Sequence, residues 1–239
     1  MPQAQPDPHH GDRVLLTPLV LVVHGRSGGF IPRELGALAQ ELWERRGSPV
    51  LLQAFTASPP AVESDFWSAA KQAGGLNVVP LLLLPGGHVR FDLPAIACHW
   101  RRAAAAQEAG PLPLRRWPFL GAWPQWQRLL AVELAKAAGG GPCHWLHHPL
   151  EGPLAKRYLD HLAVVLGCQG VSTPYTAQGS ELGPWAQKTA TVMPLTLAAN
   201  RLTESLTQAQ LPPGLAVLPP LLELPTLRQF LISALEALP

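Results

Sequence analysis

The sequence is poor in charge and in cysteine. Charged residues make up 14% of its 239 residues, and 18 basic against 16 acidic side chains leave a formal charge of only +2. This small excess, with no stripe of Lys and Arg interleaved with aromatics, excludes a nucleic-acid binder that works by neutralising phosphates. The three cysteines are widely spaced, which excludes a disulfide framework and a CxxC site and predicts reduced thiols in the cytoplasm.

Long apolar runs and nucleotide-binding motifs are also missing. The longest apolar runs have the length of a strand, well short of the ~20 residues that span a bilayer, so no membrane segment is predicted. Neither GxGxxG nor GxxxxGK[ST] occurs, which argues against a nucleotide-phosphate site. Residues 1–13 lack the basic start and apolar stretch of a signal peptide and are predicted to be a disordered tail. Apolar residues are plentiful at 47%, enough to fill sizeable cores.

The first half of the chain alternates between strand-like and helix-like patterns. Apolar runs predict strands at 19–24, 50–55, 76–84 and 112–117, and helical spacing predicts helices at 32–45, 58–73, 92–108 and 124–137. We interpret Ser58 and Asp92 as the residues that cap the second and third helices. The order βαβαβαβα predicts an α/β fold with a parallel sheet and right-handed crossovers.

A glycine-rich linker at 139–142 separates this half from a weaker copy of itself. Trp145-Leu146-His147-His148, followed by a helix pattern at 153–166, matches Val22-Val23-His24-Gly25 followed by the first helix. In this alignment His147 is the counterpart of His24. The repeat predicts two similar lobes, 14–138 and 143–239, each a small parallel sheet flanked by helices, with a cleft between them.

Two apolar runs of the first lobe end in a histidine beside glycines. The first run delivers His24 and the second delivers His88, each at the carboxyl end of a predicted parallel strand, where open α/β sheets bind ligands. Because strands one and three can be neighbours, we expect the two rings to lie close together. Neutral imidazole is the commonest metal ligand and accepts protons near neutral pH, so the pair suggests a divalent-metal site. The alternative is that both are loop histidines without a role.

The residues around these histidines resemble a known family. Val22-Val23-His24-Gly25-Arg26-Ser27, together with the segment 80–94, is similar to the class II tetrapyrrole chelatases, the sirohydrochlorin cobaltochelatases and ferrochelatases, over most of residues 18–137. The resemblance implies a lyase of siroheme or cobalamin biosynthesis that inserts Co²⁺ or Fe²⁺ into sirohydrochlorin or a related ring without ATP. It also implies that His24 and His88 are the catalytic, metal-handling residues. The metal is then a substrate, and no permanently bound cofactor is expected.

The same resemblance suggests which residues bind the ring. Sirohydrochlorin carries many carboxylates, which makes Arg26, Arg33 and Arg90 candidate anchors through charge-assisted hydrogen bonds. Ser27, Gly86 and Gly87 complete the predicted binding set, since glycines allow a flat ligand to approach the backbone. The expected partners are therefore a tetrapyrrole and a divalent metal, bound by a monomer or a homodimer.

The chain also departs from the family pattern. Thr56 stands where many members have a glutamate, and the second lobe has Ala198-Ala199-Asn200-Arg201 in place of a Gly-Gly-His motif. Because of these departures, two alternative functions remain open. The protein could be a carrier or regulator that binds a tetrapyrrole or metal without catalysis, or an interaction protein whose histidines have no functional role. His144 and His147 lie three apart on a predicted strand, so they point to opposite faces, which argues against a second metal site that includes His148. Cys98 is predicted to be buried.

Overall fold

The computed structural model describes residues 16–26, 29–55, 57–107, 110–173 and 183–239. Its first lobe contains the strands β1 (Leu19–Val23), β2 (Val50–Ala54), β3 (Leu76–Pro80) and β4 (Leu114–Arg116), and the helices α1 (Arg33–Arg46), α2 (Ser64–Gln72), α3 (Leu93–Ala105) and α4 (Pro124–Ala138). All strand pairs are parallel, in the order β2-β1-β3-β4. The predicted neighbourhood of strands one and three is therefore present.

The second lobe repeats this arrangement. It contains β5 (Cys143–His147), β6 (Gly170–Ser172), β7 (Thr191–Pro194) and β8 (Ala216–Val217), with the helices α5 (Pro153–Leu166), α6 (Gly183–Ala186), α7 (Arg201–Gln208) and α8 (Pro225–Glu236). Its strand order, β6-β5-β7-β8, is the order of the first lobe, and its pairs are also parallel. The predicted α/β class with two similar lobes is confirmed.

The two central strands of the first sheet are apolar on both faces, as is typical of a parallel sheet that packs against helices on both sides. All five residues of β1 and all five of β3 are buried. The third strand is shorter than predicted. The chain leaves the sheet after Leu81 donates its backbone N–H to Val22 O at 2.8 Å, and residues 81–84 then run along the gap between the lobes.

Two details of the first-lobe helices differ from the sequence prediction. The second helix begins at Ser64, and Ser58 does not cap it. The reason lies in the Pro59-Pro60 pair, because a residue that precedes proline is disfavoured in the helical region and Pro59 therefore cannot start a helix. Cys98 is exposed and not buried, because the face of α3 that packs inward carries Leu93, Ala97 and Trp100.

The strand registers correct the alignment of the two lobes. Val22 pairs with Pro80 in the first sheet, and Leu146 pairs with Pro194 in the second. Leu146 is thus the counterpart of Val22, and the counterpart of His24 is His148, not His147 as the sequence alignment suggested. One residue of slip moves a side chain to the other face of a strand, so the correction decides which histidine reaches the gap between the lobes.

The lobes share one apolar core. α1 packs on α8, and α4 packs on α5 and α8, so helices from both lobes meet along their apolar faces. The buried side chains of this core include Leu38, Leu134, Leu162 and Leu231. Trp126 of α4 lies fully inside this core. Within the described ranges, no helix is both long enough and apolar enough to cross a membrane.

Candidate metal centre

His24 and His88 lie side by side at the carboxyl edge of the first sheet. His24 directly follows β1, and His88 begins a π-helical turn, His88–Asp92, that leads into α3. The centroids of the two rings are 5.4 Å apart, and the ring planes are nearly perpendicular, at 87°. Two imidazoles from separate loops are therefore within reach of one ion.

Each of these rings is oriented by a hydrogen bond at its Nδ1. His24 Nδ1 is 2.9 Å from the carbonyl oxygen of Gly25, and His88 Nδ1 is 2.6 Å from Oδ2 of Asp92. A carbonyl oxygen and a carboxylate accept a hydrogen bond, so each neutral ring carries its proton on Nδ1 and leaves the lone pair of Nε2 for a metal. Asp92 occupies the N-cap position of α3, as predicted, but its side chain makes no capping hydrogen bond to that helix.

Phe55, directly after β2, holds both imidazoles in place. Its ring stacks on His88 at 3.8 Å with 27° between the planes, and it meets His24 edge-on at 4.7 Å. Burial among these rings lowers the pKa of His24, and the neighbouring His88 lowers it further, against a raising effect of the Gly25 carbonyl. His24 therefore favours the neutral form that a metal requires. Phe55 was not predicted as part of the site, because its only signal in the sequence is its position at the end of the second strand.

A cavity of about 530 Å³ adjoins the two histidines and lies between the lobes. The first lobe contributes His24, Arg26, Phe30, residues 81–84 and His88 to its wall. The second lobe contributes His148, residues 195–201 and Glu204. Its size is in the range of small-molecule sites, and its walls are mostly apolar with a few polar groups, as is usual for such sites.

His148 brings a third imidazole to this cavity, from the second lobe. A Cβ atom placed on Gly86 would lie 3.8 Å from His148 Nε2, so the ring reaches the glycine loop that carries His88. Burial lowers the pKa of His148 to about 4, with smaller contributions from His24, His147 and His88. The sequence did not predict the place of His148 in this cavity, because the repeat alignment paired His24 with His147, which is 5% exposed.

The other histidines of the second lobe do not join a metal site. His144 Nδ1 lies 2.9 Å from the hydroxyl of Thr189, away from the cavity wall. Among the residues that the structure describes, no three His, Cys, Asp or Glu side chains form a group that could hold a metal ion. The His24 and His88 pair thus offers only part of a coordination sphere, which suits an ion that is bound briefly and passed on.

The predicted ring-binding residues fall into two groups. Arg26 and Gly86 line the cavity, whereas Gly87 is exposed beside Phe91. Arg90 is exposed, with its guanidinium 5.1 Å from the centroid of the Phe91 ring, and Arg33 is exposed at the start of α1. Ser27 and Thr56 lie outside the described residues.

Arg26 already has partners on the opposite lobe. Its Nη2 donates to the backbone carbonyl of Ala199 at 2.8 Å and lies 2.8 Å from Oε1 of Glu204 in α7. Because all three residues line the cavity, these contacts cross the gap between the lobes.

Comparison with known proteins identifies the family. The sequence model of the CbiX family matches residues 18–137, which is half of the chain and spans both histidine motifs. The chain belongs to the CbiX family. The matched segment ends before the second lobe, so His148 and Glu204 of this CbiX-family protein lie beyond it.

Solved structures match the CbiX-family chain over both lobes. SirB from Bacillus subtilis with Fe³⁺ has a TM-score of 0.62 at 16% identity, covering 90% of this chain and 92% of that one. The sirohydrochlorin chelatase SirB from Bacillus subtilis subspecies spizizenii, in complex with cobalt, has a TM-score of 0.58 at 18% identity, covering 84% and 85%. Among curated proteins, no sequence matches this chain significantly. At these identities the structural matches establish a shared two-lobed fold.

Proposed function

We propose that this protein inserts a divalent metal, Co²⁺ or Fe²⁺, into sirohydrochlorin or a related tetrapyrrole without ATP. The observation that carries the proposal is the pair of imidazoles, His24 and His88, that adjoin one cavity between the lobes, each with its Nδ1 at an oxygen acceptor. Membership of the CbiX family and the fold shared with SirB, whose solved structures hold Fe³⁺ and cobalt, support it.

The geometry suggests how the metal reaches the ring. His24 and His88 replace part of the ion's water shell, and their two nitrogens hold it loosely enough for transfer to the four ring nitrogens. Asp92 and the Gly25 carbonyl fix the tautomers, so neither ring needs to reorient before it binds the ion. Insertion exchanges one M²⁺ for two pyrrole protons, and the two neutral imidazoles that have released the metal can accept one proton each.

The cavity walls suggest how the ring is held. Leu81, Leu195 and Leu197 provide apolar surface for a flat macrocycle, and Arg26 provides a cation for its carboxylates. Both walls belong to one chain, so a monomer suffices to form the complete cavity. Three free thiols suit a reducing compartment, and we place the activity in the cytoplasm.

Anaerobic absorbance spectroscopy with sirohydrochlorin and Co²⁺ or Fe²⁺ tests the proposal. We expect His24→Ala and His88→Ala each to lower the rate of metallation at least tenfold. This is about the loss of activity that follows removal of a metal ligand or of the residue that orients it. His99→Ala is the matched control, because His99 is exposed on α3 and does not line the cavity. Equal turnover by the wild type and both histidine variants contradicts the assigned roles.

The second candidate function is a carrier or regulator that binds a tetrapyrrole or a metal without catalysis. The observation in its favour is that no third metal-binding side chain joins His24 and His88 among the described residues. The same assay separates the two functions. Tight binding of the ring, with metallation no faster than in the absence of protein, supports the carrier.

A further inference from the structure

One ion pair crosses the cavity between the lobes. Arg26 follows β1 of the first lobe and Glu204 lies on α7 of the second, with Nη2 and Oε1 2.8 Å apart. Both side chains line the cavity, and both are partly open to solvent, at 39% and 47% exposure. A bound macrocycle therefore meets both groups of the pair.

Glu204 has the wrong charge for the proposed ligand. The residues that line the cavity include the cations Arg26 and Arg201, and Glu204 is the one carboxylate among those that the structure describes. A ring that carries several carboxylates is attracted by the arginines and repelled by Glu204.

We propose that Glu204 is a specificity-determining residue that competes with a carboxylate of the macrocycle for the guanidinium of Arg26. This inference rests on the proposed function. When a ring with a suitably placed carboxylate binds, it replaces Glu204 on Arg26. A ring without that carboxylate leaves the ion pair across the cavity intact and binds less well.

The surroundings of Arg26 allow this exchange. The carbonyl oxygen of Ala199 accepts from Nη2 at 2.8 Å, so the guanidinium keeps its place in the cavity when Glu204 leaves. Its Nε is buried, and no described residue accepts a hydrogen bond from it. A guanidinium has five N–H donors in a planar fork, which favours a carboxylate that binds two of them at once.

The test measures binding of metal-free sirohydrochlorin by absorbance titration, without added metal. Competition predicts that removing Glu204 strengthens binding, although Glu204 lines the cavity and contacts the opposite lobe. We expect Glu204→Gln to lower the Kd about twofold to fivefold, the factor that corresponds to a partly exposed ion pair. The amide retains the size of the side chain and removes its charge.

A double-mutant cycle separates competition from a general effect of charge. In an Arg26→Gln background, Glu204→Gln should change the Kd by less than about 1.5-fold, because the shared guanidinium is absent. Asp160→Asn is the matched control, because Asp160 forms an ion pair with Lys156, at 2.8 Å, outside this cavity. The Kd of this variant for the ring should equal that of the wild type.

Three results overturn the inference. The first is a Kd of Glu204→Gln that is equal to or higher than that of the wild type. The second is an increase in affinity from Glu204→Gln that persists in the Arg26→Gln background. The third is an equal increase in affinity from Asp160→Asn. Failure of the ring binding on which the proposed function depends looks different, because neither the wild type nor Glu204→Gln then binds the ring at all, and the inference falls with it. Circular dichroism and thermal unfolding of every variant exclude loss of fold as the cause.

Discussion

Nδ1 of His88 lies 2.6 Å from Oδ2 of Asp92, four residues later in the chain. This spacing comes from the π-helical turn His88–Asp92, which places the carboxylate directly behind the ring. The contact favours the tautomer of the neutral ring that carries its proton on Nδ1, and it fixes the direction in which Nε2 points.

Loss of the Asp92 carboxylate should therefore weaken metal binding. We expect Asp92→Ala to raise the Kd for Co²⁺ about tenfold to 100-fold, the usual cost of losing a partner that orients a metal-binding histidine. Asp92→Asn should lie between Asp92→Ala and the wild type, because its amide oxygen still accepts from Nδ1. Isothermal titration with Co²⁺ measures the three constants. Equal values for all three show that Asp92 does not orient the ring.

Three histidines whose pKa is lowered in the folded protein predict that stability depends on pH. Burial lowers the pKa of His148 to about 4 in the folded protein, from an ordinary 6.5, and burial also lowers the pKa of His24 and His147. At pH values between these two pKa values, the unfolded chain binds more protons than the folded protein does. The free energy of unfolding should therefore fall as the pH decreases from 6.5 towards 4. Urea denaturation at pH 7 and pH 5 measures the change.

His148→Asn identifies the contribution of that one ring. This variant should lose less stability than the wild type between pH 7 and pH 5, because one group that must be protonated on unfolding is gone. His99→Asn, a change at an exposed position, should follow the wild type. The same loss in His148→Asn and the wild type contradicts the prediction.

Arg46 joins the end of α1 to the end of the chain. Its Nη1 donates to the carbonyls of Leu235, Glu236 and Leu238, and its Nη2 donates to Thr17, all between 2.8 and 2.9 Å. The side chain is buried, so its removal leaves several carbonyls without a donor. We expect Arg46→Ala to lower the free energy of unfolding by about 3 kcal/mol.

The neighbouring arginine is the natural control for this variant. Arg45 is exposed and pairs with Glu41 on the surface of α1, so Arg45→Ala should cost less than about 1 kcal/mol. Urea denaturation compares both variants with the wild type. Similar losses for Arg45→Ala and Arg46→Ala show that the carbonyl contacts of Arg46 contribute little.

Tyr158 of α5, in the second lobe, hydrogen-bonds to the backbone of the first lobe beside the cavity. Its hydroxyl lies 3.0 Å from the carbonyl oxygen of Leu83 and 2.7 Å from that of Gly121, and burial raises its pKa. Tyr158→Phe should lower the free energy of unfolding by about 1 kcal/mol. It should also raise the KM for the ring, because Leu83 lines the cavity. A KM equal to that of the wild type, with the same loss of stability, limits the role of Tyr158 to folding.

The sequence predicted the parts of the site that depend on strand order. Continuous apolar runs identify buried parallel strands, and neighbouring strands bring their carboxyl ends together, so the proximity of His24 and His88 follows from the pattern. The partners of these rings depend on local geometry instead. Asp92 has the sequence signature of a helix cap, and only the π-helical turn shows that it faces His88.

The second lobe shows a different limit of sequence patterns. Trp145-Leu146-His147-His148 aligns with the first strand in two ways, and both place a histidine near its end. Hydrogen bonding between strands fixes the choice, because Leu146 pairs with Pro194 as Val22 pairs with Pro80. The contact of Arg26 with Glu204 could not be predicted from the sequence either. The two residues are far apart along the chain, and only the packing of the two lobes brings them together.

The apolar core common to both lobes has a consequence for the integrity of the chain. α1 packs on α8, and α4 packs on α5 and α8. Cleavage within residues 139–142, followed by separation of the two halves, would therefore expose apolar helix faces on each half. We expect a nicked protein to stay together as one particle in gel filtration, and either half expressed by itself to aggregate.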